Sequence, residues 1–385
     1  MSASVPRLLT STERLKSSRR NFAGRLKGRI FRPFFRVLLV FLPVTGLCGE
    51  NEKLTIEFES VSYSEATSLY SLAGNWNDKV GSGDDALSFT RLSFGIESGP
   101  ISLQYIQRAD TVYEFANDTA RFIYQIENRQ DLIPGETYEL EIQPKRQASH
   151  GIRMGYTTQL HEDVGVSVFF SLLSPSNVLD GEVKGSAVAV AANDYDFDFD
   201  SSLVYRDDPL YDRDGTRLTG DGYAVDLFIR YAINERWHMN LDLIDLAGEL
   251  SISDAPFTVA SATSDVKTFD EDGYVVYNPV ITGLEGNRDF TYEFDTQAHL
   301  ALSYLLSNEY SLVVQHHQYK NVGYQELQFV QLGNQRKFSW HLVPEIGAAG
   351  ISSTTPVFML GLTADDFDRN KMKYLALDGQ YFWLF

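Results

Sequence analysis

The last eleven residues of this chain, 375–385, alternate with a period of two. Every second residue back from the end gives Phe385, Trp383, Tyr381, Gly379, Leu377 and Leu375, an apolar stripe rich in rings. That period places the stripe on one face of a β-strand. Chain ends of soluble domains usually fray and stay polar, so rings so near the end need a hydrophobic destination. The same period recurs upstream. In residues 222–233 one face carries Tyr223, Val225, Leu227, Ile229 and Tyr231, and the other carries Asp226 and Arg230. Eight steps of about 3.3 Å at a tilt of about 40° give roughly 20 Å of height, with a ring at each end. After a polar turn at Asn234-Glu235-Arg236, Trp237, Met239, Leu241 and Leu243 alternate with His238, Asn240 and Asp242. Segments at 164–172, 300–306 and 338–342 repeat the design.

A soluble sandwich also alternates. Two features favour a barrel in lipid: rings sit at the ends of the apolar face, and its charge-free length repeats at about eight to ten residues. A Lys or Arg there would cost about 2–4 kcal/mol at the midplane. The expected fold is therefore an all-β, antiparallel transmembrane β-barrel. Short connections occur at Ser98-Gly99-Pro100, His161-Glu162-Asp163, Asn234-Glu235 and Ser307-Asn308. Long polar ones fall at 64–85, 114–146, 206–220 and 250–289. Short turns on the periplasmic side and long acidic loops outside fit such a barrel. The pattern supports about 12 to 16 strands, best 14–16, and a strand near 274–282 brings the number to an even sixteen.

The aromatic terminal stripe resembles the closing strand of Gram-negative outer-membrane β-barrel proteins. That resemblance implies that Phe385, Trp383 and Tyr381 form a membrane-assembly signal read by the barrel-assembly machinery. It also implies that the chain resides in the cell outer membrane, among outer-membrane lipid and lipopolysaccharide. The other end agrees. Residues 1–36 hold ten Lys or Arg against the single acid Glu13, and Val37–Val44 is a short apolar run broken by Pro43. Small residues Thr45-Gly46 follow, the order of an export signal. Residues 1–49 are accordingly read as an extended signal region and 50–385 as the barrel.

The lone Cys48 lies at the expected cleavage site behind Leu47, not the small residue a lipoprotein signal wants. The body then needs no disulfide in an oxidising compartment. Whole-chain charge is −19, from 33 basic and 52 acidic residues. Removing the ten basic and one acidic residue of the first 36 leaves 23 against 51, a net −28. So acidic a body repels nucleic acid and attracts cations.

Asp194, Asp196, Asp198 and Asp200 alternate with Tyr195, Phe197 and Phe199. On a barrel strand the rings are expected to meet lipid and the acids to line the lumen or a rim. With Asp226, Arg230, His238 and Asp242 they are the candidate pore-lining residues. Asp212-Arg213-Asp214-Gly215 and Asp270-Glu271-Asp272-Gly273 resemble parts of calcium loops, but Leu210 and Thr268 stand where the first ligand belongs. No metal or cofactor is expected beyond a loop-bound Ca²⁺ or Mg²⁺. His238 near Asp242 and His341 near Ser339 are the pairs a strand-borne hydrolase would use, yet such spacings share a strand face by default. No catalytic residue is assigned, and no enzyme is expected. The expected function is a passive or weakly cation-selective pore or transport channel. A plugged barrel with a structural or surface-interaction role, or an outer-membrane hydrolase, is the alternative.

Overall fold

The computed structural model describes residues 52–72, 80–207, 217–264, 267–277 and 280–384. The leader expected over 1–49, the 212–215 acidic turn and Phe385 lie outside them. The strands are β1 (Glu52–Ser64), β2 (Asp85–Ser98), β3 (Ile101–Phe115), β4 (Thr137–His161), β5 (Val164–Ala191), β6 (Asp194–Tyr205), β7 (Thr219–Ala232), β8 (Trp237–Thr263) and β9 (Lys267–Phe269). There follow β10 (Val275–Tyr277), β11 (Val280–Glu293), β12 (Gln297–Leu305), β13 (Tyr310–Tyr319), β14 (Val322–Leu332), β15 (Lys337–Val343), β16 (Ala348–Thr354), β17 (Phe358–Ala364) and β18 (Tyr374–Leu384). Helix α1 (Asn117–Glu127) lies between β3 and β4.

Successive strands pair antiparallel, and β18 closes on β1 from Lys53↔Leu384 to Tyr63↔Tyr374. The stave between β5 and β8 is built from two pieces, β6 above and β7 below. Between β8 and β13 the stave is completed by β12, which pairs with both, while β11 extends it above by pairing with β8. The result is a closed transmembrane β-barrel of fourteen staves, within the expected range. The route to sixteen is corrected: of the two strands that overlap 274–282, β10 pairs among the described residues with β9 in a separate two-stranded ribbon, and β11 pairs with β8 in a stave already counted. Residues 250–289 are not one loop either, because β8 runs to Thr263 and β11 starts at Val280. Above the lipid both faces of these strands meet protein or water, so the greasy alternation that betrays a strand is lost.

Outward-facing Ile101, Leu103 and Tyr105 on β3, Val168, Phe170 and Leu172 on β5, and Phe358, Leu360 and Leu362 on β17 are all exposed. They form an apolar belt where water would not tolerate one. Tyr223 and Tyr231 sit at the two ends of their stripe and Trp237 at the lower rim, as the alternation predicts. Both ends of the described barrel, Glu52 and Leu384, lie at the same rim as the short turns. Those turns are capped locally. Gly99 takes φ +57, a left-handed value glycine adopts at little cost, and Asn234 Oδ1 accepts from the amides of Arg236 (2.9 Å) and Trp237 (3.0 Å).

At the opposite end β4, β5 and β8 run on for 25, 28 and 27 residues, carrying the sheet well above the belt. Here α1 packs on the outer face of the extension: Phe122 lies 4.9 Å from Tyr138 and 4.9 Å from Tyr195. Tyr195 and Phe197 are thus covered by protein, which corrects the expectation that they meet lipid. Only the tertiary position of α1 could reveal this.

The lumen as candidate functional site

The barrel is closed from within. At the upper rim, Lys320 and Asn321 in the β13–β14 turn reach Glu114 at the top of β3, the amide of Asn321 donating over 3.2 Å. Below, Phe89 of β2 stacks on Tyr319 of β13 at 5.3 Å. These staves lie half a circumference apart, so opposite walls touch. Val61, Leu87, Val112, Tyr324, Val343 and Tyr374 pack around the stack as a buried apolar plug.

Deeper lies an ionic layer. Arg91 and Arg108 face each other directly in the β2–β3 ladder, an arrangement that like charges make unfavourable. Glu59 of β1 faces Arg91 in the next ladder, and one carboxylate from across the lumen reaches both arginines. Asp245 of β8 accepts from Arg108 Nη1 (2.6 Å) and Nη2 (2.7 Å) and from Arg91 Nη2 (3.0 Å). Asp110 takes Arg108 Nε (3.0 Å) and Gln147 Nε2 (2.7 Å) on its other side. The Phe294 ring covers the Arg108 guanidinium at 4.3 Å. The Arg108 and Asp245 side chains are 3 % and 1 % exposed and that of Arg91 is 15 % exposed, so this layer is largely withdrawn from water. Asp245 reaches it by irregular backbone. Strict alternation would place it outward beside Leu243, but a bulge opposite Asp226 gives it φ +56 and turns its carboxylate inward. The Asp226 side chain holds the bulge through the Asp245 amide (2.9 Å) and accepts from Arg153 Nη2 (2.7 Å). Gly155 lets the ring of Phe169 lie close, since a Cβ there would come within 2.3 Å of it. That ring in turn lies 3.9 Å beneath Arg153.

Beneath the ionic layer the lumen is polar and wetter. Arg230 pairs with Asp242, their side chains 48 % and 26 % exposed, and His238 is exposed at the lower mouth. On the facing staves a relay crosses three adjacent strands. Glu326 Oε1 on β14 meets His341 Nδ1 on β15 at 2.5 Å, and His341 Nε2 meets Ser352 Oγ on β16 at 2.8 Å. The second oxygen of Glu326 binds His317 Nε2 at 3.1 Å.

Of the candidate pore residues, the structure gathers Asp226, Arg230, His238 and Asp242 on the inward face of β7 and β8, Asp226 within the sealed layer. Asp194, Asp196, Asp198 and Asp200 lie far above, on β6. Lys267 Nζ bridges Asp194 (2.9 Å) and Asp196 (2.6 Å), and Ser261 donates to Asp200. The hydrogen bond from Lys267 holds the Asp196 carboxyl below its ordinary pKa. In the acidic turn at 270–273, Arg129 pairs with Asp270 (3.1 Å) and Asp272 (2.7 Å). Tyr381 and Trp383 lie on the outward face of β18, in register with Ile56 and Leu54. Arg91, Arg108, Asp110, Asp245, Glu326 and Ser352 escape a sequence reading. Arg108 and Asp110 do share a face at i, i+2, but the partner that fixes Arg108, Asp245, lies on the distant stave β8.

No family model matches this chain, and no curated protein matches it. Among solved structures it is similar to a deletion mutant of the TodX monoaromatic hydrocarbon channel, at 8 % identity and TM-score 0.45, over 88 % of this chain and 91 % of that one. It is also similar to the Pseudomonas putida toluene transporter TodX (8 %, 0.41, 87 % and 89 %) and to the CymD monoaromatic hydrocarbon channel (10 %, 0.36, 88 % and 89 %). Likeness at this level carries no functional inference.

Proposed function

We propose that this chain is an outer-membrane barrel channel held shut by its own side chains, opening when the Asp245 lock releases Arg91 and Arg108. The observation that carries this reading is the pair of directly opposed arginines sealed by one cross-lumen carboxylate. A barrel needed only as a structural wall would be filled as well or better by apolar side chains, because burying ion pairs is often neutral or unfavourable against them. Here an apolar plug is followed by a breakable ionic one, and a polar chamber leads up to it from the periplasmic side. Once open, the acidic wall favours cations. The test is conductance in a planar bilayer: wild-type protein stays silent or nearly so, and Asp245→Asn opens. Silence in both makes the interior a structural plug, and steady wild-type conductance means the lumen is not shut.

A second reading, an outer-membrane hydrolase, rests on the Glu326–His341–Ser352 relay, which has the acid–imidazole–hydroxyl order of a serine hydrolase triad. Ser352 Oγ would bond to an ester's acyl carbon while His341 Nε2 takes its proton and passes it to the departing alcohol. A fluorophosphonate probe decides it: labelling lost in both Ser352→Ala and His341→Ala supports catalysis, and an unlabelled wild type ends it.

A further inference from the structure

On the outer wall, where the lipid belt ends, β1 to β5 frame a cavity of about 630 Å³ beneath the loop that joins β1 to β2. Leu92 and Tyr105 form its lower edge, continuous with the exposed belt residues Phe94 and Leu103. Leu69 and Leu72 of the loop overhang it. Its floor is built from small side chains such as Ser88, Ala109 and Ala148, which hollow out the wall between the large ones.

The charge of this cavity is opposite to that of the molecule. The body carries 51 acidic against 23 basic residues, yet no aspartate or glutamate lines the cavity, whereas Arg146 and Arg206 do. Arg108 also borders it, but its guanidinium is committed to the lumen. Neither Arg146 nor Arg206 has a carboxylate partner among the described residues. Among the described residues Arg206 Nη1 donates to the carbonyl of Ser176 (3.0 Å), and its buried Nε has no hydrogen-bond partner there. A half-buried guanidinium with a buried donor unused is poised for an anion.

We propose that this cavity binds a phosphate-bearing lipid of the outer leaflet, with its phosphate on Arg146 and Arg206 and an acyl chain along Leu72, Leu92 and Tyr105. A soluble anion would have no use for the leucine overhang, and an uncharged lipid none for the arginines. The inference rests on the outer-membrane reading for the source of the lipid, but the site can be measured in detergent without it.

The experiment is native mass spectrometry of the folded barrel in mild detergent with added diphosphorylated lipid A, run beside its dephosphorylated form and inorganic phosphate. Wild-type protein is expected to retain one diphosphorylated lipid. Arg146→Gln with Arg206→Gln should weaken retention at least tenfold, the scale of one lost charge-assisted hydrogen bond. Leu72→Asp should weaken it with both arginines intact, and phosphate alone should not compete. Folding of each variant is checked by the mobility difference between unheated and boiled samples; if the double variant does not fold, Arg206→Gln alone is used. Equal retention by wild type and folded variants, or by the two lipid forms, overturns the proposal. Absence of the protein from outer-membrane fractions overturns the membrane reading instead, leaving the binding result to stand alone.

Discussion

Asp245→Asn tests the lock at its single shared carboxylate. In the wild type this group answers two guanidiniums through three hydrogen bonds of 2.6 to 3.0 Å. An asparagine of the same shape keeps one acceptor oxygen and turns an amide donor toward an arginine. Arg108 keeps Asp110, whereas Arg91 loses its cross-lumen partner and is left with Arg108 on one side and Glu59, its register partner on β1, on the other. Removing one partner of a buried pair costs about 3–5 kcal/mol. Since 1.4 kcal/mol is a factor of ten, the ratio of sealed to hydrated lumen should fall by roughly two to three and a half decades. In a planar bilayer a silent wild-type trace should become one with frequent resolved openings, and the opened pore should prefer cations. The control is Arg91→Met with Asp245→Asn, which removes the stranded charge and should restore much of the silence. If Asp245→Asn were as silent as wild type and lost its heat-resistant gel mobility at the same temperature, the lock would not be holding the lumen shut.

Phe89→Ala removes one half of the stack that joins opposite walls, at a cost of about 3–5 kcal/mol; the folded band should disappear at lower temperature in a heating series read on gels. Arg153→Met strands Asp226, which holds the bulge, so this variant should open the channel as Asp245→Asn does, measured by the same conductance trace. Shortening the chain by Phe385, or replacing both Trp383 and Tyr381 by alanine, should lower the fraction of heat-modifiable barrel in outer-membrane preparations. Burial, then Asp84, Glu65 and Glu114, pushes the Asp85 carboxyl up to about 6. The folded form therefore holds this proton more tightly than the unfolded chain. Its contribution is complete at low pH and declines as pH rises from about 4 through 6. Limited proteolysis of the loop after β1 should be faster at pH 7.5 than at pH 5, and Asp85→Asn should flatten the difference.

Much of the wall was legible. Tyr223 to Tyr231 and Trp237 to Leu243 read as lipid-facing because a strand between lipid and lumen must alternate, and lipid tolerates no charge. The short turns were legible too, since Asn234 and Gly99 satisfy local backbone needs with local chemistry. Where the strands leave the lipid this logic lapses. The acidic strand 194–200 alternates as clearly as any, yet Tyr195 and Phe197 pack against the cluster around Phe122 of α1, because alternation says which residues share a face and not what covers it.

Legible from the residues alone were the apolar face of each stave, the closure of the chain as a barrel and the acidity of the body. Each is a property of neighbours along a strand, or of composition. The closed lumen is not of that kind. Phe89 meets Tyr319 and Arg108 meets Asp245 only because curvature brings distant staves together. Asp245 faces inward only because a bulge overrides the period that placed it outward. Whether a barrel is a pore or a plug depends on contacts across the lumen, and those contacts belong to the tertiary structure.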